Sequence, residues 1–219
     1  MTFLTTNFTD RPWVTDNVSQ AATWLKNGQL LAYPTESVWG IGCDPFNQTA
    51  TQALLALKQR PMAKGLIVVT DSIIRIEPFL AVLSKAQREQ VVHSWQPNPN
   101  ADFNQKQAKT WLLPMPPNLK QTIPNWVTGS HQSLAIRVIQ HPKIQQLCAE
   151  LVSDTNPFGF LVSTSCNLTG QPPALNLEDA LSYFNPPNTA QKVAYLAGNT
   201  LNYQLPSQIR DAISGALIR

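Results

Sequence analysis

The 219-residue sequence is poor in charge, because Asp, Glu, Lys and Arg make up only 13% of it. That is about half the usual share in a soluble protein. The formal net charge of +3 permits an acidic partner but does not demand one. Apolar residues make up 43% of the chain, which excludes a disordered chain and predicts a sizeable core. The length favours one large domain over two small ones.

Cysteine and histidine are also scarce, at three residues each. Cys43, Cys148 and Cys166 form no CxxC pair, which excludes a zinc ribbon and a thioredoxin-like redox motif. The odd, low count argues against a secreted disulfide framework. The histidines form no HExxH or other close metal cluster, so the sequence predicts no metal held by protein ligands. Cys166 has no His or Asn arranged to activate it, so we interpret it as a small buried filler and not as a nucleophile.

Long hydrophobic runs are missing, since none approaches the roughly 18 residues of a membrane span. The first residues, MTFLTTNFTDRPW, lack the basic start and apolar stretch of a signal peptide. We therefore expect a cytoplasmic protein without a membrane partner. Neither GxGxxG nor GxxxxGK[ST] occurs, so neither a Rossmann nor a Walker-type phosphate loop is supported.

Predicted helices and strands are mixed along the whole chain without a clean linker or an internal repeat. The helices are predicted at 16–26, 49–58, 84–95, 141–151 and 176–184, and the strands at 30–33, 65–69, 110–114, 133–139, 160–165 and 192–197. Two segments are predicted to be loops, a glycine-containing one at 34–45 and a polar, proline-bearing one at 96–109. Together these patterns predict one α/β or α+β domain.

The stretch KQRPMAKG places Lys58, Arg60 and Lys64 within seven residues at the end of a predicted apolar helix. Cations near a helix C-terminus are commonly explained by the helix dipole, which contributes about 0.3–1 kcal/mol each. That explanation fits Lys64 less well, because Pro61 has already ended the helix. The alternative is a polyphosphate site, where Arg binds oxygens as a fork and Lys as a point charge.

Two further segments have ambiguous polar residues. The segment STSCN (163–167) follows a buried strand and is either a ligand loop or an ordinary serine-threonine turn. Arg137 lies inside the apolar strand LAIRVI, on the same face as Ser133 and Ala135. It therefore points to an exposed edge, meets a carboxylate, or lines a pocket.

Taken in order, the segments PTESVWGIGCDP, KQRPMAKGLIVV, SLAIRV, STSCNLTG and PSQIRD resemble the YrdC/Sua5/TsaC family of threonylcarbamoyl-AMP synthases. The similarity runs from about residue 15 to residue 219, and the length is similar to that of the short bacterial TsaC form. The resemblance implies a single YrdC-like domain over 1–219, with a twisted mixed sheet and helices around an open concave cavity. It implies an enzyme that makes threonylcarbamoyl-adenylate and pyrophosphate from L-threonine, bicarbonate and ATP. A separate transferase complex would then modify tRNA.

The resemblance also implies a nucleotide site. The family's KxR motif falls on Lys58 and Arg60, and its SxN motif falls on Ser165 and Asn167. By that match these four residues bind ATP, and the two cations act in catalysis by stabilising, together with Mg²⁺, the charge that develops on pyrophosphate. Lys64 is a weaker candidate for the same role.

Six further residues follow from the resemblance. Those implied for ATP are Ser133, Arg210 and Arg219, and those implied for threonine are Thr35, Arg137 and Ser207. Arg137 would bind the threonine carboxylate as a fork. Arg219 is the last residue, where fraying is expected.

The chain departs from the family where SWQPNPNADFNQKQAKT replaces an SWPGPVT-like segment, which predicts an insertion of roughly ten residues at 96–109. Two other functions remain open at this point. A hydrogenase-maturation carbamoyl-adenylate domain would share the fold, but the zinc-binding CxxC motifs of those longer chains are absent. A non-catalytic RNA-binding module would need only clustered cations, which the KQRPMAK stretch with Lys106, Lys109 and Lys120 would supply.

Overall fold

The computed structural model describes residues 12–96, 106–184, 193–205 and 207–219. Its strands are β1 (Trp13–Thr15), β2 (Leu30–Pro34), β3 (Trp39–Gly42), β4 (Ile67–Thr70), β5 (Lys109–Pro114), β6 (Ser133–Val138), β7 (Leu161–Val162), β8 (Thr164–Ser165), β9 (Val193–Leu196) and β10 (Gln208–Asp211). Its α-helices are α1 (Val18–Lys26), α2 (Gln48–Leu57), α3 (Glu77–Leu80), α4 (Lys85–Trp95), α5 (Asn125–Thr128), α6 (Pro142–Leu151) and α7 (Leu177–Phe184). The predicted insertion at 96–109 lies mostly outside the described residues.

The strands form two five-stranded mixed sheets. The predicted α/β class is confirmed, but one mixed sheet was expected and there are two. The first sheet has the order β1-β9-β2-β3-β8 and the second the order β10-β5-β6-β4-β7. The chain passes from the second sheet to the first within three residues, because β7 pairs with β4 and β8 pairs with β3. Ser163 is the residue between them, and its backbone N–H donates to the Ile67 carbonyl.

Two hydrophobic clusters enclose the sheets, and β2 belongs to both. Leu30 and Ala32 pack into the cluster that contains Trp39, Trp111 and the phenylalanines. Leu31 and Tyr33 face the other cluster, under α1 and α6. Since successive side chains of a strand point to opposite faces, a strand buried on both faces is a continuous apolar run, as LLAY is.

Most predicted elements are confirmed within one to three residues, but the glycine-containing loop is a wrong prediction. Trp39–Gly42 forms β3 and pairs antiparallel with β2, from Leu31 opposite Gly42 to Pro34 opposite Trp39. A Cβ on Gly42 would lie 1.6 Å from the Val162 carbonyl oxygen, so the close approach of β7 requires glycine there. The glycines that suggested a loop thus allow tight packing.

Side chains cap the starts of three helices. The sequence favours Thr15 or Asp16 as the cap of the first helix, but Asn17 caps α1, because its side chain accepts the Gln20 N–H at 3.0 Å. Ser84 and Gln87 form a capping box at the start of α4, which the sequence analysis did not predict. The sequence also favours Asn176 as the cap of the last helix, and Asn176 caps α7.

Two short strands escaped sequence analysis. β1 and β10 have only three and four residues and lie at the edges of their sheets. Among the described residues, no helix is long and apolar enough to cross a membrane.

Candidate functional site

A cavity of about 470 Å³ opens where strands of both sheets approach each other. Gly40 of β3 and Ser165 of β8 line it from the first sheet, and Ile67, Leu112 and Ile209 line it from the second. Its volume lies within the range of small-molecule sites, about 300–1,000 Å³. The passage of the chain from β7 to β8 therefore joins two walls of one cavity.

One wall of the cavity is the polar face of β6. Ser133, Ala135 and Arg137 all line the cavity, whereas Leu134 and Ile136 are buried in the core. The predicted alternation is confirmed, and the exposed-edge alternative is wrong, because Arg137 is 7% exposed. A guanidinium so deeply buried needs a compensating partner.

Arg137 finds that partner in Glu36, although the pair is loose. Its Nη1 lies 3.6 Å from Glu36 Oε2, and the exposed fractions of the two side chains are 9% and 1%. Arg137 Nη2 donates to Ser163 Oγ at 3.4 Å, while Arg137 Nε and Glu36 Oε2 have no hydrogen-bond partner among the described residues. The guanidinium is thus charge-compensated and still retains unused donors.

We call the part of the cavity around the buried Arg137 its buried end. Another part of the lining, which we call the open end, is basic and more exposed. Arg60, Lys64 and Arg219 line it, and no Asp or Glu of the described residues does. The Arg60 guanidinium donates through Nε and Nη2 to the Gly65 carbonyl, at 3.2 and 2.8 Å. Gly65 adopts a φ of 62°, which glycine tolerates, and this turn aims its carbonyl at Arg60. Partial burial, with Arg219 nearby, lowers the pKa of Arg60.

Lys58 supports the loop of the SxN motif. Its Nζ donates to the carbonyl of Ser165 at 2.8 Å, to the carbonyl of Asn167, and to Asn167 Oδ1 at 3.1 Å. Asn167 Oδ1 also accepts the Ser165 hydroxyl at 2.6 Å, and Thr169 Oγ1 donates to the Lys58 carbonyl. Burial, the largest cause, lowers the pKa of Lys58. The structure therefore brings the two motifs together, but of their four residues only Arg60 and Ser165 line the cavity.

Three more predicted residues reach the cavity. Thr35 and Ser207 line it, and the Thr35 hydroxyl donates to the Val38 carbonyl at 2.7 Å. Arg219, where the sequence analysis expects fraying, lines it too, and its backbone pairs with β10. The backbone N–H of Ile209 donates to the Arg219 carbonyl at 2.9 Å, and the Ile218 N–H donates to the Ile209 carbonyl at 2.8 Å. This pairing with β10 anchors the final residues beside the cavity.

The predicted site residue Arg210 points away from the cavity. Ile209 lines the main cavity, so its neighbour on β10 faces the opposite side of the sheet. There Arg210 lines a second cavity of about 210 Å³ with His93, Lys109 and Trp111. Its Nε donates to Gln208 Oε1 and its Nη1 to the Gly215 carbonyl. Arg210 is therefore not among the residues that line the cavity with Arg60.

Sequence analysis missed several residues of the site. Glu36 follows Thr35 directly, but its partner Arg137 is remote in sequence. No local sequence pattern therefore predicted that the two side chains would pair. Ser163 precedes the SxN motif and was not assigned. The other unassigned polar side chains that line the cavity are Ser37, Thr128, His131 and Thr164. Three of these four residues carry a hydroxyl group, which is a small donor and acceptor. No motif in the sequence marked them as part of a site.

The described residues hold no group of three or more His, Cys, Asp or Glu side chains that would bind a metal ion. Burial raises the pKa of both the Cys43 and the Cys166 thiol to about 12. Cys166 thus stays a neutral thiol at physiological pH, as expected for a buried filler.

Comparison with known proteins gives consistent findings. A family model for Sua5, YciO and YrdC proteins, described as "Telomere recombination", matches residues 23–219. A protein of Psychrobacter cryohalolentis named threonylcarbamoyl-AMP synthase is 60% identical over 210 residues, which are 95% of this chain and 98% of the relative.

Two solved structures share the fold. P. abyssi Sua5 complexed with L-threonine matches with a TM-score of 0.68 and 22% identity, over 89% of this chain and 50% of that chain. E. coli YciO matches with a TM-score of 0.69 and 17% identity, over 94% of this chain and 92% of that chain. At these identities the likeness concerns the fold alone.

Proposed function

The chain belongs to the Sua5/YciO/YrdC family, and we propose that it is a threonylcarbamoyl-AMP synthase. One observation of the structure carries the assignment most strongly. A single cavity joins an end of uncompensated cations, Arg60, Lys64 and Arg219, to an end where a buried guanidinium, Arg137, retains donors. Such a cavity suits two anionic groups, a polyphosphate and a carboxylate, held at a fixed separation.

The reaction class is nucleotidyl transfer. Threonine and bicarbonate condense to N-carboxy-threonine with loss of water, and a carbamate oxygen then attacks the α-phosphorus of ATP. A new P–O bond forms to that oxygen, the bond from the α-phosphorus to the bridging oxygen breaks, and pyrophosphate leaves with the electron pair. The protein's contribution is positioning and stabilisation of the developing charge, which requires no covalent nucleophile.

The basic end is proposed to bind the triphosphate. Arg60 is pre-positioned by its two hydrogen bonds to Gly65, so little side-chain entropy is lost when it binds an oxygen. Ser133 and Ser165 offer hydroxyls on the neighbouring walls. Lys58 and Asn167 act mainly by fixing the loop of Ser165.

The buried end is proposed to bind threonine. Arg137 would donate two hydrogen bonds to the carboxylate as a fork, with Thr35 and Ser207 as polar neighbours in the same cavity. The low exposure of Arg137 favours this assignment, because a charge-assisted hydrogen bond is stronger where water is excluded.

Mg²⁺ is proposed to enter with ATP. Magnesium is commonly bound by substrate phosphates with only one or two carboxylates and several waters. The described cavity lining has no carboxylate, so the residues fit an ion carried by the triphosphate, which would neutralise part of its charge. Arg60, Lys64 and Arg219 would then approach phosphate oxygens that the ion leaves free.

We also propose a downstream partner and a cellular location for the protein. The product would pass to a transferase complex that modifies tRNA, and the protein would work in the cytoplasm. The alternative of a non-catalytic RNA-binding module gains nothing from the comparisons, since the relative identical at 60% carries the name of the enzyme.

The test is pyrophosphate release from Mg-ATP and bicarbonate by the purified protein, with and without L-threonine. We expect release that depends on threonine. Folded protein that gives no such release, while binding RNA with a steep dependence on salt, would overturn the proposal and favour the RNA-binding module.

A further inference from the structure

We propose that Glu36 is a positioning residue for the amino-acid end of the cavity, acting through Arg137 and through the segment that leads to Ser207. The inference rests on the proposed function and deepens it. Glu36 does not line the cavity, although its neighbours Thr35 and Ser37 do. Its effect on a substrate must therefore pass through the groups that it holds.

The first such group is the Arg137 guanidinium. Glu36 is 1% exposed, and a buried carboxylate is tolerated only where a cation and hydrogen bonds compensate it. Arg137 Nη1, 3.6 Å from Glu36 Oε2, is the cation that the described residues bring to it. The pair keeps the guanidinium on the cavity side of β6.

The looseness of this pair is itself informative. A fork between the two side chains would use two of the guanidinium's five N–H donors at close to 2.9 Å. Here the closest approach is 3.6 Å, and both Arg137 Nε and Glu36 Oε2 lack hydrogen-bond partners. Glu36 thus compensates the charge of Arg137 without occupying its donors, which stay available to a carboxylate ligand.

The second group is the backbone just after β6. Glu36 Oε1 accepts the N–H of Gln140 at 3.0 Å. One carboxylate therefore contacts both a side chain of β6 and the main chain three residues later. This double contact fixes the end of β6 against the turn after β2, which holds the Thr35 hydroxyl to the Val38 carbonyl.

The third group is the segment between β9 and β10. The N–H of Tyr203 donates to the Glu36 carbonyl at 3.0 Å, and the Leu201 N–H donates to the Thr35 carbonyl at 3.2 Å. The Tyr203 hydroxyl donates to Gln140 Oε1 at 2.9 Å, which closes a ring of contacts through Glu36. Ser207 lies four residues after Tyr203 and reaches the cavity. Glu36 is the residue common to Arg137, Gln140 and this segment.

The decisive variant is Glu36→Asp, because it keeps the charge but withdraws the carboxylate by one methylene, about 1.5 Å. We expect its KM for threonine to rise about tenfold or more, as for a misplaced charge-assisted contact. The KM for ATP should stay within about twofold, because the basic end does not contact Glu36. Glu36→Gln, which removes the charge, should raise the KM for threonine at least as much.

Two further variants and two further measurements separate positioning from a general structural role. Glu150→Gln neutralises a carboxylate on α6 that accepts hydrogen bonds from Ser19 and Gln146, and it should leave both KM values unchanged. Tyr203→Phe removes one contact of the ring and should give a smaller, threonine-specific rise. Thermal unfolding of each variant reports whether it is folded, and calorimetry of threonine binding gives a readout independent of turnover.

The outcomes are distinguishable. A folded Glu36→Asp protein with an unchanged KM for threonine, or with KM values for both substrates raised equally, would overturn the positioning role. A wild-type protein that neither binds threonine nor releases pyrophosphate would overturn the proposed function, and this inference with it.

Discussion

The two ends of the cavity treat positive charge in opposite ways. At the buried end, Arg137 is 9% exposed in its side chain and has a carboxylate partner, Glu36. At the open end, Arg60, Lys64 and Arg219 share the lining without any Asp or Glu of the described residues. Within the described part of the chain, the Arg60 side chain donates hydrogen bonds only to neutral carbonyl groups.

The difference follows from solvation. A cation without water must be compensated by the protein, so the buried end carries its own counter-charge. A cation at an open end is compensated by water and salt until a ligand displaces them, so several cations can stand together for a polyphosphate. The protein therefore pairs a cation with a carboxylate where the cation is buried, and leaves the exposed cations of the cavity to water and salt.

The largest expected effect tests the open end. Arg60→Ala should lower pyrophosphate release by on the order of 100-fold or more, the usual cost of removing one pre-organised donor to developing charge. Stability should change little, because the Arg60 side chain bonds only to backbone carbonyls of its own turn. The matched control is Arg88→Ala, which breaks a surface ion pair with Glu77 and should retain full activity. Normal turnover in Arg60→Ala would remove the nucleotide assignment.

A stability measurement sharpens the contrast between the ends. Arg137→Ala leaves the Glu36 carboxylate buried without a cation, so we expect the free energy of unfolding to fall by about 3–5 kcal/mol. Urea denaturation of this variant and of Arg60→Ala provides the comparison. Similar small losses in both would show that the buried pair is not compensated in the way the geometry indicates.

Lys58→Ala tests whether the lysine acts through the loop. From the family resemblance, Lys58 is expected to act directly, by stabilising the charge that develops on pyrophosphate. The three contacts from Lys58 Nζ predict instead that activity falls and that the 163–170 loop loosens. Amide hydrogen exchange of that loop should rise in Lys58→Ala and stay unchanged in Arg60→Ala. Unaltered exchange would return Lys58 to a direct role at the phosphates.

Arg210→Ala is expected to have a small effect. Its side chain lies on the far side of β10 from the cavity, so the KM for ATP should stay within about twofold of wild type, as for a substitution outside the site. A large rise in this KM would restore Arg210 to the nucleotide site.

The smallest effect concerns Cys166. With its thiol pKa raised to about 12 by burial, the thiol stays protonated at pH 8, and alkylation by iodoacetamide in the folded protein should be slow. Cys166→Ala should retain activity, because the residue only fills space behind the loop. Rapid inactivation by alkylation at that residue would contradict the inert assignment.

The sequence predicted the direction of a side chain correctly where the residues that determine it are neighbours in one recognised strand. The alternation of Ser133, Ala135 and Arg137 placed three side chains on one face, because a strand repeats every two residues. The same rule, applied to β10, would have separated Ile209 from Arg210, but that short edge strand was not recognised. The resemblance supplied residue identities for the site without the direction in which each side chain points.

Other features were beyond sequence reasoning for physical reasons. Glu36 and Arg137 meet through tertiary packing, which no window of sequence contains. The β3 strand was missed because Gly40 and Gly42 usually indicate turns, whereas Gly42 is needed for the close approach of the Val162 carbonyl. Arg219 was expected to fray, but pairing with Ile209 holds it.

The passage of the chain from β7 to β8 also affects how the two walls of the cavity are positioned relative to each other. Val162 belongs to one sheet and Thr164 to the other, so a single residue links the sheet that bears Arg137 to the sheet that bears Ser165. An extended residue spans about 3.3 Å. One amino acid inserted beside Ser163 is therefore expected to shift the two cavity walls relative to each other. The distance between the proposed carboxylate and phosphate sites thus depends on the length of the backbone at this one position.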